Sequence, residues 1–101
     1  IYYKGKSYEC PQKMKTVFTN KFLQQVSTAK LKPIRKKVEK VILDIEKATS
    51  LSEIRNLKKL KGETKYFRIR IGDYRIGLYI ENGIIEFTTI ENRKDIYKHF
   101  P

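Results

Sequence analysis

The chain has 101 residues, 23 Lys/Arg against 11 Asp/Glu and a formal net charge of +12, which suits one domain with a single modest core and a polyanion as the leading class of partner. One cysteine, Cys10, excludes an internal disulfide framework, and one histidine, His99, excludes the common Cys/His zinc sets. No apolar run reaches the ~20 residues of a membrane helix and no signal-peptide core is present, so the expected setting is cytoplasmic, with no metal and no cofactor.

Residues 1–13, IYYKGKSYECPQK, read as an N-terminal extension of uncertain origin ahead of a single domain over residues 14–101. Met14 to Thr19 has a strand pattern, and Asn20 is expected to cap a helix presenting Phe22, Leu23 and Val26. Pro33 suits the first turn of a second helix, on which Ile34, Val38, Val41, Ile42 and Ile45 recur at helical spacing. Its other face carries Arg35, Lys36, Lys37, Lys40 and Lys47. Ser50 and Glu53 form a capping-box pattern for a short helix through Leu57, stopped by Gly62.

Two hairpins follow. Gly72-Asp73 is a two-residue turn that pairs Ile71 with Tyr74, Arg70 with Arg75, Arg68 with Gly77 and Tyr66 with Tyr79. Asn82-Gly83 favours a type I′ turn and pairs Ile80 with Ile85, Leu78 with Phe87, Tyr79 with Glu86 and Gly77 with Thr88. Alternation then sends Phe67, Ile69, Ile71, Ile76, Leu78 and Phe87 to a core face. The opposite face holds Tyr66, Arg68, Arg70, Arg75, Tyr79, Glu86 and Thr88 around Gly77, which leaves an open floor. The expected fold is α+β, helices packed on one face of a small antiparallel sheet.

The charge is uneven: residues 14–63 hold 13 Lys/Arg against 5 Asp/Glu, so most of the excess is helical lysine. The sheet carries few cations, at particular places. Like charges directly opposite destabilise a strand pair, so the Arg70/Arg75 pairing calls for a reason. After the last strand, Arg93 and Tyr97 lie four apart and share a side if the tail is helical.

The order strand, two helices, meander and basic tail, with LKKLKG (Leu57 to Gly62), YFRIRIGDYRIGLYI (Tyr66 to Ile80) and ENRKDIYKHF (Glu91 to Phe100), resembles the RelE/ParE superfamily of toxin–antitoxin toxins. The resemblance covers residues 14–101 and implies a RelE-like fold, a cognate antitoxin and, in the RelE branch, cleavage of mRNA in the ribosomal A site. It implies a catalytic set of Arg68, Arg70, Arg75, Arg93 and Tyr97. RNA contacts are expected from Lys36, Lys37, Lys40, Lys58, Lys59, Lys61 and Lys94. Some RelE enzymes have lysines where this chain has Arg68 and Arg70, and arginine serves poorly as a base. That leaves the proton acceptor open, with Glu86 and His99 as candidates. The alternatives are a ParE-like toxin that inhibits DNA gyrase without nuclease chemistry, and a non-catalytic RNA-binding module.

Overall fold

The structure, a computed structural model, describes residues 15–60 and 65–100. The expectations for residues 1–13, for Met14, for Lys61 and for the Gly62 stop lie outside the described residues. Chain order is β1 (Lys15–Phe18), α1 (Asn20–Val26), a 3-10 stretch (Ala29–Ile34), α2 (Arg35–Lys47), a 3-10 turn (Leu51–Glu53), β2 (Leu57–Lys59), β3 (Tyr66–Ile71), β4 (Tyr74–Glu81), β5 (Ile84–Asn92) and α3 (Ile96–His99).

The strands form one sheet in the order β1-β5-β4-β3-β2. The β3–β4 register is the expected one, Arg70 with Arg75 and Arg68 with Gly77, because Gly72 takes the positive φ (56°) the turn requires. At the second turn Asn82 and Gly83 are both left-handed, φ 53° and 78°, as a type I′ turn demands. The sheet is mixed, however: β1 runs parallel to β5, as a strand at the start of the chain can when helices intervene.

α1 and α2 lie on the apolar face. Phe22, Val38 and Ile45 join Ile69, Ile71, Ile76, Leu78, Ile85, Phe87 and Ile90 in one buried cluster. Phe67 is only half-buried at its margin, and Leu23, expected on the buried side of α1, is 51% exposed. Thr19, the residue before Asn20, is the cap. Its Oγ1 accepts from the Phe22 amide at 3.0 Å and donates to the Thr88 carbonyl at 2.7 Å. Pro33 sits in the 3-10 stretch that leads into α2, where its missing N–H costs little.

Two further expectations are corrected. The helix from Ser50 through Leu57 is only a single 3-10 turn; the Ser50 hydroxyl forms no backbone cap, and Thr49 Oγ1 instead donates to Glu53 Oε2 at 2.6 Å. Asn56 then turns left-handed, φ 63°, and Leu57–Lys59 pairs antiparallel with β3. A three-residue strand is too short to show its period in sequence, and pairing outweighs the weak helical propensity. The second correction is at β5, where Leu78 faces Phe87 but Gly77 faces Thr89, so Thr88 is the extra residue of a β-bulge. The bulge keeps both Phe87 and Ile90 on the core side, although they are three apart.

Thr19 therefore ties the start of α1 to the bulge. Thr19→Ala should lower unfolding free energy by about 1–2 kcal/mol, the cost of a lost N-cap, read from urea denaturation; Asn20→Ala should cost much less. At the outer end of β4, hydrogen bonding from Lys65 and then from Tyr79 holds the Glu81 carboxyl below its ordinary value. A depressed carboxylate stabilises above its unfolded pKa and loses that contribution as pH falls through its folded value. Glu81→Gln should thus flatten the acid side of the stability profile and leave it unchanged in shape near neutrality.

Candidate functional site

Pleating sends Arg68 and Arg70 of β3, and Arg75 of β4, to the face away from the helices. Arg68 and Arg75 are half-buried and Arg70 is exposed. Arg75 Nη1 donates to the carbonyls of Gly72 at 2.9 Å and Tyr74 at 3.0 Å, which holds the guanidinium at the hairpin end. The Arg93 amide donates to the Asp73 carbonyl at 2.8 Å, so the tail begins beside the same turn.

Burial pushes the Arg75 guanidinium below its ordinary pKa, and the positive fields of Arg68, Arg70 and Arg93 push the same way, while Tyr97 opposes them. Arg75 thus feels the fields of the other four residues of the expected set, which come from β3 and the tail. Arginine stays charged at any ordinary pH, so the lowered proton affinity is a standing electrostatic cost of the folded state. An anion placed among these groups would relieve it, and arginine's planar fork matches phosphate oxygens two at a time.

The other candidates divide. β2 sets Lys58 opposite Arg68, which adds a cation to the arginine face; Lys59 pairs with Phe67 and points the other way. Lys94 is exposed beside Arg93, its amide donating to Asn92 Oδ1 at 2.9 Å. Lys36, Lys37 and Lys40 are exposed on α2, on the helical side of the sheet. Lys37 and Lys40 line a groove of about 570 Å³ that is also lined by Lys47, Arg55, Asp44, Glu53 and Arg70.

Glu86 is half-buried opposite Tyr79, and Thr88 Oγ1 lies 3.4 Å from its Oε1. Tyr79 and Arg75 are four residues apart along β4, or roughly 13 Å at strand rise, so Glu86 stands well away from Arg75 along the sheet. The side chain of His99 lies outside the described residues. Because of the bulge, Glu91 is the carboxylate residue facing Arg75, a pairing the sequence reading missed. Its Oε2 accepts from Thr89 Oγ1 at 2.7 Å and lies 3.7 Å from Lys21 Nζ.

The floor around Gly77 is not open. α3 folds back across the arginine face, and the ring of Phe100, 4% exposed, covers Gly77. Tyr66 meets Tyr79 at 5.1 Å and Phe100 at 5.5 Å between ring centroids. Among the described residues, no three His, Cys, Asp or Glu side chains gather as a metal-ligating set, and no helix is long and apolar enough to cross a membrane.

No family model matches the chain. It is 35% identical over 89 residues to the toxin RelE3 of Methanocaldococcus jannaschii, covering 87% of this chain and all of that protein. Its structure resembles the RelB–RelE antitoxin–toxin complex from Methanococcus jannaschii, with TM-score 0.70, 33% identity, and 84% of this chain and 99% of that one covered. The archaeal RelE–RelB complex from Pyrococcus horikoshii shares the fold, with TM-score 0.65 at 17% identity over 83% of this chain and 99% of that one.

If the arginine cluster is a folded-state cost, Arg75→Gln should melt at the same temperature as the parent or higher in low salt, with the gap closing as salt screens the repulsion. Inorganic phosphate should raise the melting temperature of the parent more than that of the variant. A variant that melts lower at every salt concentration would mean that the bonds to Gly72 and Tyr74 outweigh the repulsion.

Proposed function

The chain belongs to the RelE family of toxins, and we propose that it is the toxin of a type II toxin–antitoxin system, a metal-independent endoribonuclease that cuts message in the ribosomal A site. The observation that carries this reading is the placing of Arg68, Arg70 and a half-buried Arg75 on one face of the β3–β4 hairpin, with the Arg93 amide bonded to the Asp73 carbonyl at its turn. The cut proceeds by attack of a 2′-oxygen on its neighbouring phosphorus. The new bond is 2′-O–P and the broken bond is P–O5′; the 2′-hydroxyl loses its proton, the 5′-oxygen gains one, and a 2′,3′-cyclic phosphate is left. Negative charge gathers on the phosphoryl oxygens as the bond forms. Fixed cations aimed at such charge are usually the largest catalytic term.

Each side chain has a role set by its place. Arg75, held at the hairpin end, and Arg68 take the phosphoryl oxygens. Arg93, exposed beside the turn, neutralises the leaving side, and the exposed Arg70 guides the backbone of the message inward. Tyr97, 54% exposed, offers its ring to a base turned out of the strand. Lys58, beside Arg68, extends the track, and the lysines of α2 draw the protein to ribosomal RNA.

The arginines supply charge and serve poorly as bases, and Glu86 stands on β5 opposite Tyr79, away from Arg75. A site of this kind depends on its substrate being held near in-line geometry, and orientation alone can be worth ~7–11 kcal/mol. The ribosome provides that hold, which places the activity in the cytoplasm. The cognate antitoxin is an acidic or amphipathic protein that covers the cationic face, as the charge of +12 favours.

The test is cleavage of message on translating ribosomes, with mapped 3′ and 5′ ends. Arg75→Ala and Arg93→Ala should each slow cutting by about 10²–10³ while circular dichroism stays that of the parent. Naked single-stranded RNA should be cut poorly at the same ionic strength. Full cutting by both variants would defeat the reading, and uncut message with damaged DNA would point to gyrase as the target.

A further inference from the structure

The tail that carries Arg93 and Tyr97 has little means of holding itself. α3 is one turn of four residues with no side-chain cap from Asp95, far below the length at which a helix is stable alone. Two apolar side chains four apart fix it: Ile96 and Phe100 are 0% and 4% exposed and lie on one side of the turn. Tyr97 follows Ile96 by about 100° of helical rotation and therefore faces outward.

The seat of Phe100 is made by an absence. Gly77 is a strand residue with no positive φ, so its backbone does not demand glycine. A Cβ built there would meet three carbons of the Phe100 ring at 2.7, 2.8 and 2.9 Å. Any other residue would strike the ring. The neighbours of Gly77 on this face are Arg75 and Tyr79 along β4, Arg68 across from it on β3 and Thr89 across from it on β5, so the ring is seated beside Arg68 and Arg75.

We propose that Phe100, seated on Gly77, is a positioning residue: it sets where Tyr97 and Arg93 stand relative to Arg75 and takes no part in the chemistry. Its effect on catalysis rests on the ribonuclease reading; its hold on the tail rests on the geometry alone. A displacement of about 1 Å at a catalytic group can cost on the order of 10²-fold in rate, so an anchor one helical turn away has leverage.

Phe100→Ala, Phe100→Leu, Gly77→Ala and the double variant Gly77→Ala/Phe100→Ala are compared with the parent and with Arg75→Ala. Two measurements are made: amide hydrogen exchange, and message cleavage on ribosomes resolved into kcat and KM. The amides of Lys98 and Phe100 donate to the carbonyls of Asp95 at 3.1 Å and Ile96 at 2.9 Å. In Phe100→Ala they should exchange much faster while β4 and β5 stay protected. In that variant kcat should fall by roughly 10- to 100-fold with KM nearly unchanged, the pattern of a group that matters only as the transition state is reached. Phe100→Leu should recover much of the rate. Gly77→Ala should reproduce the loss by displacing the ring, and should cost nothing further once the ring is gone.

Full kcat with the tail released, lost kcat with the tail still protected, or additive effects of the two substitutions would each overturn the proposal. Should Phe100→Ala unfold as a whole, Gly77→Ala, which adds one methyl group under a terminal ring, decides it by the same two measurements. If the parent and Arg75→Ala cut message equally, the ribonuclease reading fails, and exchange still decides whether Phe100 holds the tail.

Discussion

Ile69, Ile71, Ile76 and Leu78 leave water together, each at 5% exposure or less, and in doing so they fix the register of β3 against β4. A slip of β3 by one residue would turn Ile69 and Ile71 outward and Arg68 and Arg70 inward. Full burial of each such side chain is worth about 1.5–3 kcal/mol, whereas like charges opposite one another on a strand pair cost about 0.2–1 kcal/mol. Burial wins by a wide margin. The apolar face therefore imposes the crowding of Arg70 and Arg75 on the other face, and the charged site inherits its precision from the core behind it.

That inheritance reaches the tail by two routes. The Arg93 amide is bonded to the Asp73 carbonyl, which ties the end of β5 to the hairpin turn. Phe100 then presses on Gly77 from the solvent side of the sheet. β4 is thus covered on both faces at its middle, by the apolar core on one side and by a single ring on the other. The cations lie around that ring, where water and a phosphate can still reach them.

Much of this was legible in the sequence because it follows from period two and turn chemistry. Gly72-Asp73 and Asn82-Gly83 gave both hairpins and, through them, the face of every residue from Tyr66 to Phe87. The bulge was missed, although the spacing carried a signal: Ile85 and Phe87 are two apart but Phe87 and Ile90 are three, and strict alternation cannot bury all of them. Leu57 falls at the end of the expected helix because a three-residue strand has no visible period; only the pairing of Leu57–Lys59 with β3 makes it a strand and turns Lys58 toward Arg68. The cover on Gly77 was beyond local reading, since it joins positions far apart through the absence of a side chain. The arginines could be placed by counting, whereas Glu86, also placed by counting, turned out to be distant along the strand because a shared face is not a shared site.

Among the described residues β1 has one neighbour in the sheet, β5, and the bond that closes this corner, Thr19 to Thr88, spans 69 residues. Loops of that length close late, after local hairpins have formed. β3 and β4 can therefore meet early, bringing their arginines together while the first strand still lacks a partner and the tail is unseated. The protein thus acquires its charge cluster before it acquires the architecture that aims it. Maturity of the arginine face is a matter of timing, governed by the slowest long-range closure.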